Sequence, residues 1–263
     1  MKHKLTSNII FFTAIACIYS LTLSAVLAAG DISVTLQFDY QSYLEYEDIP
    51  AKVTISNKKS LPLIIDVEDK NNKNQLTFVI QRLPDALISQ TTSGSVVKDL
   101  LVLPDEKITI SVDISTHYAI NSAGRYMVTA ILTCENKTIE SNTLVIDIVP
   151  GIEITSDIKE VPYSNGLSRK YSLRYWSRKG REYLFLRVDD LKDKGSHIVF
   201  NLGPLVRVTT PTIQADRKGN ITIWHQQDKL CFVKTILRST TDEISIQKQT
   251  FHLEDGRPYP LQP

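Results

Sequence analysis

The sequence predicts an all-β protein in which a sandwich is followed by a second β-rich part. Three observations point there. Apolar and polar residues alternate with a period of two through most of residues 32–148. No window of comparable length carries a helical apolar stripe. Turn signals recur at short intervals, as in antiparallel sandwiches.

The chain begins with an expected export signal over residues 1–29. Lys2, His3 and Lys4 form a basic start, residues 9–29 are uncharged, and small residues Ala28, Ala29 and Gly30 suit cleavage. An uncleaved anchor is the rival, since the run is long enough to span a bilayer. Lipidation at Cys17 fits less well, because Ala14-Ile15-Ala16 is a poor lipobox. All three place the rest of the chain outside the cytoplasm, periplasmic or extracellular, with membrane contact only through an uncleaved anchor.

Residues 30–150 are expected to form the sandwich. Ile32, Val34, Leu36 and Phe38 alternate with Ser33, Thr35 and Gln37. Ala51, Val53 and Ile55 repeat the pattern, as do Ile108, Ile110, Val112 and Ile114, and Leu144, Ile146 and Ile148 close it. Successive strand side chains face opposite ways, so each run has one buried and one wet side. The segment QSYLEYEDIP (41–50) reads as a connection, with Pro50 opening a strand where its missing N–H costs little. SNKKSLP (56–62) reads as a hairpin-like break and LPLIIDVED as the strand that returns.

Tyr43, Glu47, Ile49, Val53, Ile55 and Asn57 match an "xxYxxGExIxVxVxIxN" run, with Glu45-Tyr46 in place of the usual Pro-Gly turn. Pro104, Glu106, Asp113, Ser115, Tyr118, Gly124 and Tyr126 match a later "PGExxxxxxDLSxxYxxxxPGxYxV" block, from which Ile114 and Ala123 depart. On these residues the first half resembles bacterial immunoglobulin-like domains. The resemblance implies a fold rather than an activity. It places Tyr126 like a tyrosine corner.

Pro150-Gly151 ends the alternating series, and residues 151–170 read as a polar linker that few contacts should cross. Residues 171–252 are expected to be a second β-rich domain, more aromatic and basic. Asp216-Arg217-Lys218-Gly219-Asn220 resembles a β-propeller blade hairpin, and seven or eight strands make about two blades, too few to close a propeller. Residues 253–263 read as a mobile tail.

The charge balance offers nothing that favours a phosphate backbone. Thirty Lys+Arg face 29 Asp+Glu, and loss of Lys2 and Lys4 leaves 28 against 29. Without a basic excess, nucleic acid is not an expected partner. Beyond the signal only Cys134 and Cys231 remain. They could bridge two domains or sit as buried thiols, and the second reading is preferred because Cys134 continues the face Tyr126, Val128, Ala130, Leu132.

Catalytic and metal spacings are not found. His117, His197, His225 and His252 stand far from any His or Cys at zinc spacing. His225 with Asp228 and Cys231 could form a Cys–His pair, but a packed Cys and an exposed edge His are preferred. VEDKNNKN (67–74) lacks the Gly and closing Glu of a calcium loop, and Asp189, Asp190 and Asp193 read as a solvated acidic loop. No cofactor motif is present. The protein is therefore expected to be no enzyme but a binding or adaptor module for a protein or glycan. A protease inhibitor and an accessory module of a separately encoded hydrolase are the alternatives. Tyr171, Arg174, Tyr175, Trp176 and Trp224 are the candidate binding residues, being the types that dominate interface hot spots. Core packing is the competing reading for them.

Overall fold

The computed structural model describes residues 31–69, 73–134, 137–164, 166–192 and 196–259. The export signal and Asp193 lie outside these described residues. Within them the chain is nearly all strand, with one short 3-10 turn at Ile114–Thr116.

The first eleven strands are β1 (Ile32–Phe38), β2 (Ser42–Leu44), β3 (Pro50–Asn57), β4 (Leu63–Asp66), β5 (Gln75–Arg82), β6 (Ala86–Ile88), β7 (Asp99–Val102), β8 (Lys107–Asp113), β9 (Gly124–Cys134), β10 (Lys137–Glu140) and β11 (Leu144–Val149). One sheet runs β1-β3-β8, another β2-β11-β9-β5-β6 with β10 beside β9, and β4-β7 forms a ribbon. Their inward side chains form a single apolar cluster. Alternation explains it: in β9, Tyr126, Val128, Ala130, Leu132 and Cys134 are all buried while the residues between them are not. This arrangement is compatible with a β-sandwich.

Several local expectations hold at the level of single contacts. Pro50 opens β3. The Tyr126 hydroxyl donates to the Ser122 carbonyl at 2.7 Å, the contact a tyrosine corner makes. Asn57, fully buried, donates from Nδ2 to the carbonyls of Leu61 and Val102 at 2.9 and 3.1 Å. Its Oδ1 accepts from the Lys59 amide. One side chain thus stands in for backbone partners of the SNKKSLP break. The strand after that break does not return on β3: β4 pairs with β7 instead, because both sides of β3 are already taken by β1 and β8.

Eight strands follow: β12 (Ile152–Glu160), β13 (Ser168–Arg178), β14 (Arg181–Asp190), β15 (His197–Pro204), β16 (Thr212–Ala215), β17 (Asn220–Gln226), β18 (Phe232–Ser239) and β19 (Ile244–His252). They make two four-stranded antiparallel meanders, β12-β13-β14-β15 and β16-β17-β18-β19. Their inner faces share a second apolar cluster that includes Tyr171, Leu173, Leu186, Ile223 and Leu237. Arg169 ties the meanders together. Its guanidinium, almost fully buried, donates to Asp190, to Ser239 Oγ and to the Thr240 carbonyl. Burial works to raise the Asp190 carboxyl, but Arg169 and Ser196 outweigh it and hold the group below its usual range.

The turn Asp216–Asn220 is a tight hairpin. The Asp216 carboxylate accepts from the amides of Lys218 and Asn220 at 2.8 and 2.9 Å. Gly219 has φ +84, and a Cβ there would lie 2.4 Å from the Ser239 carbonyl oxygen. Only glycine fits.

Two stretches differ from expectation. Residues 151–170 include a strand, β12, on the edge of its meander and paired along its length with β13. An edge strand with little buried surface has no apolar alternation to announce it. The expected mobile tail folds back as far as Tyr259: the Leu253 amide bonds the Arg257 carbonyl, and the Tyr259 amide bonds Phe251. Residues 260–263 lie outside the description.

Cys134 and Cys231 are both buried thiols, not joined to each other. Burial pushes the Cys231 thiol up, with Asp228 adding to the effect. Replacing Cys134 by Ser should cost about 1–3 kcal/mol by burying a hydroxyl, equally with and without reductant. Urea denaturation under both conditions checks it, and a loss confined to oxidising buffer would indicate a bridge.

Candidate functional site

The acidic, aromatic segment 41–50 meets the second half of the chain. Its sequence now has a physical account. Glu47 accepts the Leu44 amide at 2.8 Å and forms a two-pronged ion pair with Arg178, from Nη1 at 2.8 Å and from Nη2. The Arg178 guanidinium lies over the rings of Tyr40, Tyr43 and Phe185, 4.7, 5.4 and 4.8 Å from their centroids. Its Nε has no hydrogen-bond partner, so ring faces are what solvate that edge. Burial pushes the Tyr43 phenol up to about 12, with Arg178 pulling the other way.

Glu45 takes a second arginine. Its carboxylate accepts the Ala123 amide at 3.0 Å and Arg187 Nη1 at 2.9 Å. Tyr46, between the two acids, has φ +67, a left-handed conformation that costs a non-glycine residue about 1–2 kcal/mol. Its ring stacks on His197 at 4.3 Å and lies under Arg187 at 4.8 Å, which offsets the strain. The Glu45-Tyr46 pair is therefore held by contacts with the neighbouring meander.

Four of the five residues singled out by composition are engaged within the protein, Trp176 of them in this contact. Tyr171 belongs to the core and bonds Ser239 Oγ at 2.9 Å. Arg174 binds the Pro150 carbonyl and Glu153 at 2.8 and 2.7 Å. Tyr175 lies under Arg207, whose guanidinium is 4.3 Å from the ring centroid. Trp176 donates from Nε1 to Ser42 Oγ at 3.0 Å, so its polar edge is engaged across the junction. The contacts crossing Pro150 exceed what the polar stretch led one to expect.

A cleft of about 490 Å³ opens beside the junction between Phe38, Asp39, Tyr40, Ser177 and Lys179. Its one tyrosine platform is taken: Arg178 and Lys179 both lie over Tyr40. Asp39 pairs with Lys52 at 2.6 Å. The cleft is thus largely satisfied by the protein's own groups.

Trp224 differs from the other four. Strand β17 sends Ile221, Ile223 and His225 into the core and Asn220, Thr222, Trp224 and Gln226 towards the outer side of the sheet. Trp224 stacks on Phe232, centroids 6.1 Å apart and planes 22° apart, and leans on His252 at 5.2 Å. It stays partly exposed. Opposite it in register stands Lys234, and Thr212 flanks it on β16. Of the five candidates it is a partly exposed ring on the outer side of the second meander.

The catalytic candidates do not assemble. Both ring nitrogens of His225 lack a hydrogen-bond partner, so Cys231 is not paired with it. The histidine is 1% exposed rather than at a wet edge, which corrects the position expected for it. Asp189 is held by Arg187 at 2.8 Å and by His197 at 2.6 Å, and Asp190 by Arg169. Among the described residues no three His, Cys, Asp or Glu gather as metal ligands.

Burial holds the His225 imidazole down at about 4, with the Pro204 carbonyl pulling the other way. The unfolded chain therefore takes up a proton near pH 6.5 that the folded chain refuses until about pH 4. Stability conferred by the neutral ring is full above pH 6.5 and falls through that window by about 3 kcal/mol. Melting temperatures measured from pH 7 to 4 should show this fall, and His225→Leu should flatten it. For the junction, Arg178→Ala should cost about 3–5 kcal/mol by stranding Glu47, while the double variant Glu47→Gln, Arg178→Met should recover much of it. Calorimetry of the full chain reads both.

No family model matches this chain, and no curated protein does. Among solved structures it is similar to Spo0M, a sporulation control protein from Bacillus subtilis, at 12% identity over 66% of this chain and 91% of that one. The TM-score is 0.27, too low to carry an argument.

Proposed function

We propose that the protein is an exported, non-catalytic binding or adaptor module of the cell envelope. In this reading an immunoglobulin-like sandwich is joined to a two-meander unit that recognises a glycan or protein. The observation that carries it is the outer face of β16-β19, where Trp224 is partly exposed and backed by Phe232 and His252. A rigid aromatic ring on a sheet loses little conformational freedom on binding and offers a stacking surface to a sugar ring or an apolar side chain.

The other groups of the molecule support a non-catalytic role by their engagement. The buried arginines and the carboxylates near them satisfy one another, and the buried imidazole meets no nucleophile. The immunoglobulin-like part of the reading draws on the Tyr126–Ser122 contact and the two matching sequence blocks. Export rests on residues 1–29. Among the described residues no helix is long and apolar enough to cross a membrane.

Trp224→Ala in the full chain should weaken binding to the best ligand of a glycan and protein array by more than about 1 kcal/mol. Its melting temperature should change far less than that of Arg178→Ala. Undiminished binding by a folded Trp224→Ala protein would overturn the reading.

A further inference from the structure

Charge is unevenly distributed over the proposed binding face. The outward positions of the meander can be read from its register as four rows. Arg238 stands opposite Asn220, and Lys248, Ile236, Thr222 and Gln214 form the next row. Thr250, Lys234, Trp224 and Thr212 follow, then His252, Phe232 and Gln226, of which Phe232 and Gln226 are buried. Three of the four rows carry a Lys or Arg, and none carries a carboxylate.

The acidic residues between Thr212 and His252 are Asp216, Asp228, Asp242 and Glu243. All four lie in turns between strands. Asp216 is further occupied by Asn220 and Lys218. Neither Lys234 nor Lys248 pairs with a carboxylate among the described residues, whereas Arg169, Arg174, Arg178 and Arg187 of the other meander do. Among the described residues Arg238 donates to the neutral Asn220 Oδ1, at 3.0 Å, and to no carboxylate.

From this we propose that the face binds an acidic polysaccharide, with Trp224 under a sugar ring and Lys234 and Lys248 beside its carboxylates. The inference rests on the reading of this face as the ligand site and narrows its ligand. Rows along a strand are separated by about 7 Å, so the two lysines stand a row apart, on a scale that suits charges repeated along a sugar chain. Thr212, Thr222 and Gln214, exposed or partly exposed, supply the neutral donors and acceptors that sugar hydroxyls need. A nucleic acid fits less well, since only one indole is offered and the chain has no overall basic excess.

Affinity electrophoresis of the full protein through gels holding polygalacturonate or neutral dextran tests the assignment, with oligo-dT as a competitor. The expected result is retardation by polygalacturonate and not by dextran, weakened roughly tenfold in Lys234→Gln, Lys248→Gln. Raising salt should abolish it. Lys98→Gln, an exposed change in the first half, should leave it intact. Equal retardation by dextran, unaffected by the lysine changes, would overturn the acidic-ligand inference and leave the binding face standing. Displacement by oligo-dT at lower concentration than by free polygalacturonate would overturn it in favour of nucleic acid. Free migration in both gels, together with no Trp224-dependent ligand on the array, would overturn the inference and the binding face alike.

Discussion

The buried Glu47–Arg178 pair is the constraint on which the arrangement of the two halves turns. Removing two charges from water costs several kcal/mol each, and attraction alone recovers that only in good geometry. Here the pair is two-pronged, the carboxylate also takes the Leu44 amide, and three aromatic rings face the guanidinium. Each of those groups must then hold its place. That requirement explains an acidic, tyrosine-rich connection where a plain turn would have closed the sandwich, and a left-handed Tyr46 held by His197 and Arg187.

The consequences run through β13. One face of this strand supplies Tyr171 and Leu173 to the meander core. Its far end delivers Trp176 and Arg178 to the junction. With β13 anchored at both places and Arg169 linked to Ser239 and Thr240, the second meander is held by its inner side. Its outer side is what remains for solvent.

Much of this architecture was legible in the sequence because period two reports burial directly. β1, β3, β9 and β11 follow it residue by residue, and Tyr126 and Pro50 occupy the positions their neighbours imply. Where burial is weak the signal fails. β12 has almost no buried face, and its polar run was indistinguishable from a linker. The pairing of β4 with β7 was hidden for another reason: register between distant strands depends on which edges are already occupied. The junction was hidden most completely. Glu47 and Arg178 are 131 residues apart, and neither carries a local mark of its partner.

The same limit explains why five aromatic and basic residues of one chemical kind have different fates. Composition identifies side chains able to bind, not side chains left free to do so. In β13 and β14 four arginines meet carboxylates: Arg169 meets Asp190, Arg174 meets Glu153, Arg178 meets Glu47, and Arg187 meets Glu45 and Asp189. Each such pair removes a cation and its neighbouring ring from the pool available to a ligand. On β17, β18 and β19 the outward cations stand in register with Thr, Ile, Asn and Trp, and the acids have been kept to the turns. A cation with no internal partner remains hydrated, and its field extends about a Debye length, on the order of 8 Å, into solution. Trp224 lies within that field from Lys234, its cross-strand neighbour. In the proposed reading, the absence of facing carboxylates, more than the presence of an indole, is what separates this face from the structural junction.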